Sequence, residues 1–425
     1  MAKTLGEVAE IVMGQSPPGG TCNDRGEGVP LLNGPTEFGP HHPSPVQFTT
    51  DARKLARTGD ILFCVRGSTT GRMNWADREY AIGRGVAAIR HRTRPHLQPL
   101  VRGVIEGELR GLLAQATGST FPNVSARQLS DLTWPPIPED EQLAIATMVG
   151  ALDDKIDLNR RMSVTLAEIA RAIFKAWFVD FDPIRAKAEG RDLGLPNPIT
   201  DLFPDGLLES DIGQIPEGWQ AEPLGDHIEV VRGLSYRGAS LVGEREGLPL
   251  HNLNSVLEGG GYKYEGIKWY AGEYKGRHLA KPGDLIVANT EQGHNHLLIG
   301  CPAIVPGTFG HDALFSHHLY RVRALESSPL TRLFIYHLLL ERRMRNEVIG
   351  YTHGTTVNML SVDGLKHPRF AVPPADLVAA FEGLVGPMFK RSEHLIGEVR
   401  TLAALRDTLL PKLISGEIRV ATEAA

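Results

Sequence analysis

The chain has only three cysteines in 425 residues, Cys22, Cys64 and Cys301, far apart and odd in number. Such a set builds neither a disulfide framework nor a zinc-ligand spacing, and it fits a reducing, cytoplasmic setting. No apolar run approaches the roughly 20 residues that a membrane-spanning helix needs. The opening stretch, Met1-Ala2-Lys3-Thr4-Leu5-Gly6-Glu7, lacks the apolar segment of a secretory signal. Catalytic signatures are missing as well. There is no Gly-Xaa-Gly-Xaa-Xaa-Gly after a strand, no phosphate loop ending in Gly-Lys-Ser/Thr and no Gly-Xaa-Ser-Xaa-Gly. The Pro-Pro pairs at 17–18, 135–136 and 373–374 lack the flanking Asn or Asp and aromatic that methyl transfer to an exocyclic amine uses. The histidines His41-His42, His317-His318 and His294/His296 have no Cys or carboxylate framework in sequence, so they read as loop residues and no metal is expected.

What is present is a soluble, globular composition, 42% hydrophobic and 22% charged, in a chain long enough for two or more domains. The net charge of -5 argues mildly against a phosphate binder, but its distribution is uneven. Between Ala81 and Ile105 there is no acid, only Arg84, Arg90, Arg92, Arg94 and Arg102. A second basic stretch carries Arg321, Arg323, Arg332, Arg342, Arg343 and Arg345, while acids gather at 201–217. Taken alone, each run reads as a solvated face.

Self-comparison is more informative. Leu5-Gly6-Glu7 returns as Leu224-Gly225-Asp226, and Gly59-Asp60-Ile61-Leu62 as Gly283-Asp284-Leu285-Ile286. Gly118-Ser119-Thr120 returns as Gly354-Thr355-Thr356, and Pro135-Pro136-Ile137-Pro138 as Val372-Pro373-Pro374. Four echoes in one order make two modules, about 1–180 and 219–425. Each begins with short apolar runs bounded by Gly and Pro, the pattern of a compact, mainly β domain. Each ends in a long helix introduced by a Pro-rich turn. Steps of four and three pick out a coiled-coil seam: Ile145, Val149, Leu152, Ile156, Asn159 and Ser163 in the first helix. The second gives Leu377, Phe381, Leu384, Met388, Arg391, Leu395, Glu398, Leu402 and Leu405. If the helices pair antiparallel, Asn159, Ser163 and Arg391 meet at mid-seam; otherwise that face bends to solvent. Pro183 limits the first helix, Pro411 should disturb the last turn of the second, and Asp182 to Trp219 reads as an extended linker.

The expected layout is α+β, with mixed, mainly β domains at 1–138 and 219–374. A helix occupies 139–181, a linker 182–218, and a second helix with a C-terminal tail 375–425. Polar loops sit at matching points of the two modules and suit base-edge and phosphate contacts. The candidate DNA-contacting residues in the first module are Gln15, Ser16, Asn33, Thr36, Arg66, Ser68, Thr69, Arg72, Arg84 and Ser119. Those in the second are Ser235, Tyr236, Arg237, Asn252, Asn254, Asn289, Thr290, His294, Asn295 and Thr355. No catalytic residue is assigned.

Several segments together carry a family resemblance. They are Pro-Pro-Ile-Pro-Glu-Asp-Glu-Gln at 135–142, Leu-Asp-Asp-Lys-Ile at 152–156 and Ala-Trp-Phe-Val-Asp-Phe-Asp-Pro at 176–183. Ile-Pro-Glu-Gly-Trp at 215–219 and Leu-Pro-Lys-Leu-Ile-Ser-Gly at 410–416 complete the set. Over nearly its whole length the chain resembles the specificity subunit of type I restriction–modification systems. The resemblance implies two target recognition domains separated by an antiparallel helix pair, each reading half of a split DNA target. It implies two methyltransferase subunits and restriction subunits as partners. S-adenosylmethionine, ATP and Mg²⁺ would bind those partners and not this chain. The second module departs from the pattern, since Pro373-Pro374-Ala375-Asp376 lacks the Glu-Gln of the first. The competing readings are an orphan or phage-type DNA binder, and a metal-dependent nuclease built on Asp60 or Asp284. Both aspartates also suit turns before strands.

Overall fold

The computed structural model describes residues 3–115, 122–192, 194–293, 295–310, 312–354 and 357–420. It forms two compact units: Met1–Arg161 with Leu395–Ala425, and Met162–His394. Both cuts fall inside the long helices, Glu139–Phe178 and Ala375–Ser415.

The echoes mark places where packing allows little else. Leu5 and Leu224 are fully buried. The glycine after each faces a wall: a Cβ on Gly6 would lie 2.8 Å from Ser130 Cβ, and one on Gly225 would lie 2.8 Å from Lys366 Cβ. Gly59 and Gly283 take φ of 86° and 90°, where a side chain is strained. The next residue closes the turn, because Asp60 accepts the Arg57 N–H at 2.7 Å and Asp284 the Lys281 N–H at 2.8 Å.

The strands that follow, Ile61–Cys64 and Leu285–Ala288, are buried on both faces, which is why they read as unbroken apolar runs. Ile61 and Phe63 face a core shared with Val101, Ile105 and Ile145, while Leu62 and Cys64 face Tyr80 and Ile82. Leu285 and Val287 are divided from Ile286 and Ala288 in the same way.

The first unit has a four-stranded sheet ordered Ala9–Met13, Val86–His91, Ile61–Cys64, Met73–Trp75. The second repeats it as Ile228–Arg232, Leu319–Ala324, Leu285–Ala288, Pro302–Ile304. Each unit adds a five-stranded sheet with one parallel pair. These pairs are Val29–Leu32 with Tyr80–Ile82, and Leu248–His251 with Ala313–Phe315. Strand order and register match, so the duplication read from four short echoes extends through both sheets.

Within each unit the long helices run antiparallel. In the first, Arg419 meets Glu141 at 2.9 Å, Arg406 meets Asp153 at 2.6 Å, and Asn159 Nδ2 donates to Glu398 at 2.9 Å. In the second, the Ser163 and Ser392 hydroxyls lie 2.7 Å apart, and the Phe174 and Phe381 rings 5.6 Å apart. Ile145, Val149, Ile156, Leu377, Phe381 and Leu395 are buried. Leu152, Leu384, Met388 and Leu402 are half-buried.

Three expectations are corrected. Leu405 is 45% exposed, and Arg391 is exposed beside His394 of its own helix, so Ser392 takes the mid-seam place. A strict seven-residue repeat drifts about 20° per heptad on a straight helix, enough to exchange neighbours over this length. Pro411 falls at the last turn of the second helix, which continues to Ser415. Finally, 182–218 is not extended. It folds into a helix at Asp182–Ala188, led by Pro183, and a hairpin of Leu207–Ser210 with Gly213–Pro216. Ile184, Phe203 and Ile215 are buried, and Phe203 packs edge-on against Trp177 at 5.3 Å. These spaced apolar anchors outweigh the Pro and Gly content. No helix among the described residues is long and apolar enough to cross a membrane.

Candidate nucleic-acid interface

The basic stretches are largely spent inside the fold. Arg90 forms a two-bond pair with Asp60 at 2.9 and 2.6 Å, and Arg323 the equivalent pair with Asp284 at 2.6 and 2.6 Å. This shared pair occupies both aspartates, so the nuclease reading loses its candidate carboxylates. Arg92 donates to the Gly6 carbonyl, Arg94 pairs with Glu139 and Arg102 with Glu106. Arg321 donates to the Leu279 carbonyl and Arg345 to those of His296 and Leu297. Arg84 remains exposed, and among the described residues its side chain makes one long 3.4 Å hydrogen bond, to Ser16 Oγ.

Arg84 marks the first edge common to both units. Gly14 N–H donates to the Val86 carbonyl and Gln15 N–H to that of Ile82, which carries Gln15 and Ser16 to the turn at Arg84. Asn33 lies at the same end, because Cβ atoms on Gly83 and Gly85 would clash with it. Its amide donates to Gln47 Oε1 at 2.9 Å. In the second unit, Gly233 N–H donates to the Leu319 carbonyl and Leu234 N–H to that of Phe315, which brings Ser235 and Tyr236 to His317 and His318. Tyr236 lies 6.1 Å from the His317 ring, and Lys268 Nζ donates to its hydroxyl at 2.9 Å. Ser235 and Arg237 are exposed. His318 Nδ1 is 3.2 Å from Thr290 Oγ1. Burial first, then the neighbouring His317, Lys268 and Arg232, hold the His318 imidazole below its ordinary proton affinity.

The second shared edge is a loop held by a cross-strand pairing. Arg66 bridges Asn123, as Thr290 pairs with Met359, and Glu291 pairs with Asn358 one step further on. In the first unit Thr70 Oγ1 donates to the Gly67 and Pro122 carbonyls, leaving Arg66, Ser68 and Thr69 exposed. Arg72 is exposed too, but donates to the Phe38 carbonyl at 2.7 Å and the Pro35 carbonyl at 3.3 Å, holding the segment that presents Thr36. In the second unit the buried Glu291 accepts the N–H groups of Leu297, Leu298 and Ile299 at 2.8, 3.0 and 2.9 Å. Asn358 Nδ2 donates to the Gly293 carbonyl, and Asn295 is exposed on the loop so pinned.

Three candidates are corrected. Asn252 is buried, its amide donating to the Gly266 carbonyl at 2.8 Å while Oδ1 accepts the Asn254 N–H; Asn254 itself is exposed. Asn289 and Thr290 are buried, with Asn289 donating to the His317 carbonyl and accepting from Thr290 Oγ1. An Asn beside a strand end satisfies backbone groups as readily as it meets a base. Ser119, His294 and Thr355 lie outside the described residues. Lys268, His317 and His318 join the first edge, in the second unit, without having been singled out as DNA contacts. Their alignment with Arg84 follows from strand register, not from any residue in common.

Duplicated two-sheet domains, each leading into a long helix and each presenting polar edges at matching places, define a modular, internally duplicated protein. No protein-family model matches the chain. It is 27% identical over 308 residues to the type I restriction enzyme MjaIX specificity subunit of Methanocaldococcus jannaschii, a match covering 71% of this chain and 64% of that one. The match thus spans less than two thirds of that relative. The type I restriction enzyme HindI specificity subunit of Haemophilus influenzae is 22% identical over 421 residues, covering 86% of this chain and 88% of that one. The crystal structure of the type I restriction–modification S subunit from M. genitalium shares the fold, with a TM-score of 0.56, 15% identity and coverage of 97% and 95%. The chain is thus similar, over most of its length, to specificity (HsdS) subunits of type I restriction–modification systems.

Proposed function

We propose that the chain reads a bipartite, asymmetric double-stranded DNA target, one half per module, and scaffolds two methyltransferase subunits and the restriction subunits. The observation that carries this reading is one topology with two different edges. Gln15 and Arg84 stand where the other unit has Leu234 and His317, and Arg66 stands where it has Thr290. A shared frame with diverged donors and acceptors suits two half-sites of different sequence. The negative net charge fits a reader whose contacts are few and local, because most arginines in its basic runs are occupied within the fold.

The 40-residue helix is about 60 Å long, more than one roughly 34 Å turn of DNA, which suits a spacer between half-sites. Leu158, Met162 and Ile169 follow steps of four and seven along it and are exposed, a stripe fit for a partner's apolar face. S-adenosylmethionine, ATP and Mg²⁺ chemistry belongs to the partners in this reading.

The test is co-expression with a methyltransferase subunit of the same system, followed by methylome sequencing. A split motif is expected. Exchanging residues 1–135 for those of another specificity subunit should change one half of it. A change in both halves, or methylation without sequence preference, defeats the proposal.

A further inference from the structure

The cavity of about 850 Å³ between the Trp75 edge and the first long helix brings together groups far apart in sequence, among them His41, His42, Asp153 and Asp157. His41 and His42 occupy a loop closed by the Phe38–Pro43 bridge and by the Gly39 N–H donating to the His42 carbonyl. Their rings meet edge to face, with centroids 4.5 Å apart. Asp157 is buried on the helix. One donor atom from each of the three lies within 4.8 Å of the others, and among the described residues no other His, Cys, Asp and Glu set converges so closely.

Trp75 fixes both histidines. Its N–H donates to the His41 carbonyl at 2.9 Å, and its carbonyl lies 2.9 Å from His42 Nδ1. A carbonyl only accepts, so Nδ1 carries the proton and Nε2 keeps its lone pair. Metal-binding histidines commonly show this arrangement, with one ring nitrogen donating to a carbonyl and the other free to ligate. Asp157 Oδ2 meets Arg161 at 2.8 Å, and that arginine is largely exposed and free to swing away. The next acid along the helix, Asp153, is engaged by Arg406.

We infer that His41, His42 and Asp157 form a binding site for a divalent first-row transition metal such as Zn²⁺ or Co²⁺. Two imidazoles and one carboxylate favour such ions over Mg²⁺ or Ca²⁺, which prefer all-oxygen sets. Three protein ligands leave a position for water. The ion would tie the 39–43 loop to the helix at Asp157, so its role is that of a clamp on the first module. The site stands independently of which DNA the module reads.

The test is isothermal titration of the full-length, tag-free chain with Zn²⁺, with Co²⁺ visible absorption as a signature of the ligand set. One ion per chain is expected. Losing a second-shell partner alone typically costs about 10–100-fold in affinity, so His42→Ala and Asp157→Asn should each weaken binding at least about 10-fold. Arg161→Ala, which removes the competitor for Asp157, should tighten it. His318→Ala, in the other unit, should leave it unchanged, and circular dichroism of each variant reports folding separately. Absence of Zn²⁺ binding, or binding that His42→Ala and Asp157→Asn leave intact while folded, overturns the assignment.

Discussion

The Asp60–Arg90 pair shows how one residue can serve two ends. Asp60 closes the turn before its strand and also takes the two short bonds of a largely buried arginine, whose other contacts, to Glu10 and the Leu55 carbonyl, are long. Its side chain is 3% exposed and that of Arg90 14%, so removing one partner leaves a poorly solvated charge. Asp60→Ala should therefore cost about 3–5 kcal/mol in urea unfolding, and Asp60→Ala/Arg90→Leu should recover much of that. Asp284→Ala should cost less, because Arg323 is 37% exposed and water can replace part of the carboxylate. Equal losses at the two positions would contradict burial as the cause. At the same scale, Arg84 keeps the freedom that Arg90 lacks, although the sequence sets both in one acid-free run. Which of two arginines is available depends on an aspartate about 30 positions away in the chain.

At the scale of the element, the polar break in the helix seam is a built contact. Asn159 is fully buried, and its amide nitrogen donates to Glu398 on the opposing helix. A buried polar pair sets register at some expense in stability. Asn159→Leu should destabilise by about 1–3 kcal/mol, since it leaves the carboxylate without a donor. Asn159→Leu/Glu398→Leu should melt at or above the parent temperature. A double variant less stable than the single would show that the pair is not what the seam tolerates. The heptad spacing was legible because burial of one face recurs at a fixed step. The exact opponents were not, since a small mismatch between 3.5 and 3.6 residues per turn put Ser392 where Arg391 was expected.

At the scale of the whole molecule, the second unit should be the more sensitive to acid. Burial alone pushes the His251 imidazole down from 6.5 to about 3. Burial, opposed by the hydrogen bond to Leu333, pushes His337 down to about 4. Both bind protons more readily when unfolded. Their stabilising contribution is therefore complete above the unfolded value near 6.5 and falls away as the pH drops toward 3 and 4. Each histidine should contribute a loss on the order of 2–3 kcal/mol by pH 4.5, where the unfolded chain is protonated and the folded site is not. Hydrogen exchange at pH 7 and 4.5 should show Met162–His394 opening first, and a uniform loss across both units would rule this out.

The sequence by itself determined the duplication, the strand starts and the helix seam. All three follow from local chemistry: a glycine where a Cβ has no room, an aspartate that closes a turn, apolar residues at a helical step. Only the tertiary structure decided which polar residues remain free. Register aligned Arg84 with His317, buried Asn252, Asn289 and Thr290, and brought Asp157 to His41 and His42. Availability depends on what the rest of the fold places beside a side chain, and strand and helix pairing set those neighbours across more than a hundred residues.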